Sequence, residues 1–246
     1  MELADVNVRT VIFDVYGTLL EIGPPPVDAD ARWQQLFQEM LHAPPLLSRL
    51  DFYVASNKLV AKRHEASRAR GIAWPEVQWP AVVAEVLPPL RRLPRAKLDE
   101  FLYRQIQIGH TPLLSNATVA ALRKLKASGC LFGIASNAQA YTLRELEEAL
   151  VRHGLGMDLF ERDLCFWSFE HGFSKPDPHV FQILSTRLEA RGISRAEALM
   201  VGDRLDNDCE PARAFGWQTW LLKPKGDSRI PRSGNWQDLL HQLAIK

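Results

Sequence analysis

Val11-Ile12-Phe13-Asp14-Val15-Tyr16-Gly17-Thr18-Leu19 is the stretch on which the fold turns. Apolar, mostly β-branched residues lead into a lone Asp, and a Gly-Thr turn follows three residues later. That order reads as a buried strand that delivers a carboxylate to the edge of a sheet. A carboxylate there is costly unless it is paired, bound to a metal or used as a nucleophile.

Working outward, residues 8–14, 131–136, 163–167, 198–202 and 218–222 are short apolar runs rich in Val, Ile, Phe, Leu and Trp. Helical patterns lie between the later ones. The first, 116–128, opens at Ser115 or Asn116 and closes at Gly129; 138–153, 177–191 and 207–215 end near Gly154, Gly192 and Gly216. The alternation predicts an α/β fold, a Rossmann-like doubly wound, mostly parallel five-stranded sheet covered on both faces. Residues 21–112 have a different texture, rich in Arg, Leu, Ala and Trp and broken by Pro24-Pro25-Pro26, Pro44-Pro45, Pro88-Pro89 and Pro94. About four helices are expected there, at 28–41, 46–70, 77–87 and 95–108. An insertion of this length is a small domain rather than a loop. The expected organisation is a discontinuous core (1–20 and 113–246) with an α-helical cap (21–112).

Composition narrows the partners. The chain has 246 residues, 46% hydrophobic and 24% charged, with a net charge of +1. Without a basic stripe or an acidic block, no nucleic acid and no membrane is expected as a partner, and a small-molecule substrate is. No apolar stretch reaches the roughly 20 residues of a spanning helix. The segment Met1 to Thr10, with Glu2 and Asp5, lacks a signal-peptide pattern. Cys130, Cys165 and Cys209 are odd in number and far apart, which fits reduced thiols in a cytoplasmic protein. Oligomeric state is not legible.

In a parallel sheet, ligands sit at the carboxyl ends of the strands. Asp14, Tyr16 and Thr18 follow the first strand; Ser136 and Asn137 follow the second. Lys175 stands a few residues after the third, and Gly202, Asp203, Arg204, Asp206 and Asp208 close or follow the fourth. Four motifs in this order, Asp14-x-Tyr16-Gly17-Thr18, Ser136-Asn137, Lys175-Pro176-Asp177-Pro178 and Gly202-Asp203-Arg204-x-x-Asn207-Asp208, resemble the haloacid dehalogenase-like (HAD) hydrolase superfamily. Ser168-Phe-Glu-His-Gly172 and Ala212-Arg-Ala-Phe-Gly216 add to the likeness, which covers 1–20 and 113–246 but names no motif in 21–112.

The resemblance implies a hydrolase with Asp14 as the nucleophile that forms an aspartyl intermediate. Thr18 and Ser136 would donate hydrogen bonds to the transferring group, and Lys175 would balance its charge. Tyr16, Gly17, Asn137 and Arg204 are the expected substrate-binding residues. Asp14, the backbone carbonyl of Tyr16, Asp203 and Asp208 form the expected site for Mg²⁺, a hard ion suited to oxygen ligands.

One residue departs from the phosphatase pattern. Most phosphatases of the family carry a second Asp where this chain has Tyr16, whereas the metal-free 2-haloacid dehalogenase branch carries Tyr. Asp203 and Asp208 point the other way, because extra carboxylates beside Asp14 repel one another and an anionic haloacid unless a cation sits among them. The leading expectation is a Mg²⁺-dependent phosphohydrolase of small phosphorylated metabolites. The alternatives are a 2-haloacid dehalogenase using Arg49, Arg63 or Arg68, and a catalytically weak HAD-fold binding or regulatory protein. Plainer roles stand beside these: Ser136-Asn137 as a turn, Arg204 in an exposed salt bridge, Asp206 as a solvated acid, and Trp33, Trp74 and Trp79 as packing. His171 is the histidine expected nearest the lysine motif.

Overall fold

The computed structural model describes residues 7–226 and 229–245. Residues 1–6, where most of the expected leaderless N-terminal segment falls, lie outside them. The chain enters through β1 (Thr10–Phe13) and a tight loop, then β2 (Glu21–Gly23). Four helices follow, α1 (Ala29–Leu41), α2 (Arg49–Arg68), α3 (Trp79–Val86) and α4 (Arg95–Gly109), before β3 (Thr111–Leu113) returns the chain. The remainder alternates: α5 (Asn116–Ala127), β4 (Leu131–Ser136), α6 (Ala140–Val151), β5 (Cys165–Trp167), α7 (Ser168–His171), α8 (Pro178–Ala190) and β6 (Ala198–Gly202). A π-helical turn at Leu205–Cys209 leads into α9 (Glu210–Ala214), then β7 (Gln218–Leu222), β8 (Ser233–Gly234) and α10 (Trp236–Gln242).

The main sheet is wholly parallel, in the order β5-β4-β1-β6-β7-β8. It has six strands, not the expected five. The sixth, β8, is two residues long and ends in Gly234, too short to show an apolar pattern. Alternation along β1 explains the two layers. Val11 and Phe13 face a cluster that includes Leu122, Leu146, Trp220 and Trp236, while Ile12 faces Phe166, Phe181, Leu184 and Trp217. Ser115 caps α5 through Thr118 N–H, and Asp177 caps α8 at His179 N–H with Pro178 in the first turn.

The predicted helix at 207–215 begins instead as the π turn, which brings Asp208 back toward the sheet edge. The helices of 29–109 surround an apolar cluster of their own. At its centre Trp33 packs on Phe37, Phe52 and Phe101 with ring centroids 4.8, 5.1 and 6.5 Å away, and its indole N–H donates to the Leu47 carbonyl. Trp33 is therefore a packing residue, whereas Trp74 is half exposed. Both links to the insertion pair as one antiparallel ribbon, β2 with β3, in a region where the sequence shows almost no strand signal. The three thiols are free, and no helix among the described residues is long and apolar enough to cross a membrane.

Candidate active site

The carboxyl ends of the adjacent strands β4, β1 and β6 converge on one acidic cluster. Asp14 stands one residue past β1, its N–H donating to the Val201 carbonyl of β6. One carboxylate oxygen from each of Asp14, Asp203 and Asp208 falls within 4.8 Å of the others. Lys175, with its side chain fully buried, reaches into the cluster and donates to Asp14 Oδ1 at 2.8 Å and to Asp208 Oδ1 at 2.6 Å.

Two glycines make the approach possible. Gly17 has φ +81, and a Cβ on it would lie 2.4 Å from Asp203 Oδ2. A Cβ on Gly202 would lie 2.3 Å from Asp208 Oδ2. The glycine following Tyr16 and the glycine ending β6 thus each leave room for a carboxylate.

Charge dominates this edge. Three ionised carboxylates against one ammonium leave an excess of negative charge in a buried place. Burial pushes the Asp14 carboxyl up to about 6; Lys175 opposes this, and Asp208 and Asp203 add to it. Asp203 is raised by burial and by Asp208. Burial alone would depress the Lys175 ammonium, but Asp14 and Asp208 more than reverse that and hold it above its ordinary value. An additional cation among these oxygens relieves the repulsion. The donor set is all oxygen, and octahedral Mg²⁺ at 2.0–2.1 Å places its ligands about 2.9 to 4.2 Å apart. A spread within 4.8 Å fits such an ion with a small contraction.

Two hydroxyls at this edge lack partners. Thr18 Oγ1 and Ser136 Oγ are buried and make no hydrogen bond; Thr10 and Ser56 share that state elsewhere in the molecule. An unpaired buried hydroxyl costs about 1–3 kcal/mol, which an incoming acceptor oxygen would recover.

Three of the expected substrate-binding side chains do other things. Asn137 donates to the Lys175 carbonyl at 2.8 Å and accepts from Lys175 N–H at 2.7 Å, so both ends of its amide hold the lysine loop. The Arg204 guanidinium pairs with exposed Asp206 at 2.7 Å, while its backbone N–H donates to Asp208 Oδ2 at 3.1 Å. The Tyr16 hydroxyl donates to Glu145 and accepts from Thr142 Oγ1 on α6, and the ring meets His110 edge-on. Burial and the Glu145 carboxylate push its phenol far above the ordinary value. His171 is stacked on Phe166, with centroids 4.4 Å apart, and burial lowers its imidazole. The histidine near Tyr16 is His110.

Sequence reasoning missed Glu145, although a signal was present: an acid on the buried stripe Thr142, Glu145, Leu146, Ala149, Leu150 of α6. It also missed a strap, residues 74–78, by which the insertion is stitched to the core. Glu76 N–H donates to the Gly172 carbonyl, Ser168 Oγ donates to the Glu76 carboxylate at 2.7 Å, and Ser174 N–H donates to the Trp74 carbonyl at 2.8 Å. Ser174 immediately precedes Lys175. Of the insertion's arginines, Arg49 pairs with Asp30 and Arg63 with Glu85.

A doubly wound parallel sheet with acids, a lysine and free hydroxyls at its carboxyl edge defines a class of α/β enzymes. Residues 8–216 match the haloacid dehalogenase-like hydrolase family, and the chain belongs to it. It is 34% identical over 109 residues to the glyceraldehyde 3-phosphate phosphatase of Methanocaldococcus jannaschii, a match spanning 44% of each chain. A 2-haloacid dehalogenase from Pseudomonas syringae pv. Tomato DC3000 shares the fold with a TM-score of 0.62 at 21% identity, over 96% of this chain and 98% of that one. A HAD hydrolase from Bacillus subtilis bound to magnesium shares it at 0.56 and 20% identity, over 97% and 100%.

Proposed function

We propose that this protein is a Mg²⁺-dependent phosphohydrolase of small phosphorylated metabolites that works through an aspartyl-phosphate at Asp14. The observation that carries this reading is the clustering of Asp203 and Asp208 beside Asp14, with one buried lysine bridging Asp14 and Asp208. A haloacid dehalogenase gains nothing from two more carboxylates, and two of the arginines that could hold a haloacid are already paired with acids.

Asp14, Asp203, Asp208 and the Tyr16 backbone carbonyl would hold the ion. When bound, Mg²⁺ supplies charge neutralisation to a phosphoryl group that the carboxylates alone would repel. Asp14 attacks phosphorus as the bond to the leaving oxygen breaks and its electron pair departs with that oxygen. Thr18 and Ser136 donate to phosphoryl oxygens, and Lys175 fixes a positive charge beside the reacting carboxylate. Water then attacks phosphorus, releases inorganic phosphate and restores Asp14.

The Tyr16 phenol, bound to Glu145 and shifted upward, neither protonates the leaving group nor activates that water. Substrates whose leaving oxygen departs without protonation, such as acyl phosphates, are therefore favoured. The helical insertion 21–112 serves as the cap that excludes water and selects the substrate.

Phosphate release from acetyl phosphate and an aryl phosphate, with and without Mg²⁺, tests this reading. Metal-dependent release that disappears in Asp14→Asn is expected. Absence of release in both conditions, with halide release from a 2-haloacid, would overturn it.

A further inference from the structure

We propose that Glu145 is a positioning residue that couples the helical insertion to the loop carrying Asp14 through the Tyr16 hydroxyl. Its side chain has no exposed surface and accepts hydrogen bonds from two directions. Tyr16 O–H comes from the loop that follows β1; Gln107 Nε2 comes from the last turns of α4. His110 Nε2, from the residue that ends α4, lies 2.9 Å from Glu145 Oε1. One core carboxylate therefore joins the nucleophile loop to the exit of the insertion.

The backbone makes this junction consequential. Gln107 and His110 lie at the end of α4, just before β3, and the loop that carries Tyr16 runs on into β2, which pairs with β3. Swinging the insertion about that ribbon pulls Gln107 and His110 off Glu145. Tyr16 cannot follow freely, because Gly17 packs against the Asp203 carboxylate and its N–H donates to the Leu20 carbonyl. The position of the insertion is thus read at the residue between Asp14 and the turn that abuts Asp203. The strap at 74–78 is moored to Ser168, Gly172 and Ser174, and Gln139 Nε2 donates to the Glu76 carboxylate and the Val77 carbonyl; none of these hydrogen bonds goes to Glu145.

Coupling of this kind is reciprocal. Gln107→Leu removes a donor that touches Glu145 and does not belong to the nucleophile loop. Tyr16→Phe removes a donor that does not belong to the insertion. Backbone hydrogen exchange of both variants, with and without Mg²⁺, reads the coupling without any turnover, so failure of the phosphohydrolase reading does not decide it.

Gln107→Leu is expected to speed exchange at 15–20 about tenfold, and Tyr16→Phe to do the same at 105–113, on the scale of one lost buried hydrogen bond. Residues 74–78 are expected to stay protected in both. Glu145→Leu should loosen both segments together; should it fail to fold, the two peripheral variants still decide. Faster exchange confined to each variant's own segment would overturn the proposal, as would loosening spread over the whole insertion.

Discussion

The α/β core and the helical insertion are each packed around apolar clusters, but they treat charge in opposite ways. Every buried carboxylate and ammonium among the described residues (Asp14, Glu145, Lys175, Asp177, Asp208) belongs to the core. The insertion buries only Ser56 and Gln105 among its polar side chains, and its arginines face outward to acids such as Asp30 and Glu85. Burying charge is unfavourable unless partners or a ligand compensate. On the proposed reading, the region that concentrates charge at one sheet edge carries the chemistry, and the region that avoids it supplies shape and closure.

The sharpest way to break this contrast is to remove the one cation of the cluster. Lys175→Met leaves three acids together and is expected to cost about 3–5 kcal/mol in metal-free protein, with much of it recovered by Mg²⁺; chemical denaturation with and without the ion measures both. Trp33→Ala tests the other region. It should cost about 3–5 kcal/mol as a cavity in the insertion's cluster, while Mg²⁺ titrated into the folded variant binds as in the parent. A large loss of Mg²⁺ affinity in Trp33→Ala would show that the two regions are not separable in this way.

Gly17→Ala puts a methyl group onto the Asp203 carboxylate at a positive φ. An expected loss of about 1–2 kcal/mol in stability, with weakened Mg²⁺ binding, is checked by thermal melts and calorimetric titration. The pH dependence is the most gradual effect. The folded-state pKa of Asp14 is raised from the ordinary 3.8 to about 6. Its contribution to stability is therefore fully present below about pH 4 and is lost as pH rises through 6, with a slope no steeper than about 1.4 kcal/mol per unit. Mg²⁺ should flatten that fall, because it favours the ionised carboxylate.

Much of the fold was legible because its signals are local. The apolar runs of β1, β4, β6 and β7 and the helix boundaries at Ser115, Asp177 and Gly129 follow from periodicity and capping. All four insertion helices lie within a few residues of their expected bounds. Asp14, Asp203, Asp208 and Lys175 could be brought together on paper because parallel strands deliver their carboxyl ends to one edge.

What escaped depends on contacts distant in sequence. Asn137 reads as a ligand-facing turn residue until its amide is seen to bracket the Lys175 backbone. Glu145 is 129 positions from the tyrosine it holds, and β8 is too short for any pattern to reveal.

The most direct test of the central claim is to look for the covalent intermediate itself. Acid quench during turnover of acetyl phosphate with Mg²⁺, followed by peptide mass analysis, should find a phosphoryl adduct on Asp14. On the proposed mechanism Tyr16 gives water no help, so the adduct is expected to accumulate, and it should be absent from Asp14→Asn. Turnover of acetyl phosphate that persists in Asp14→Asn, or a phosphoryl adduct on another residue, would contradict the account.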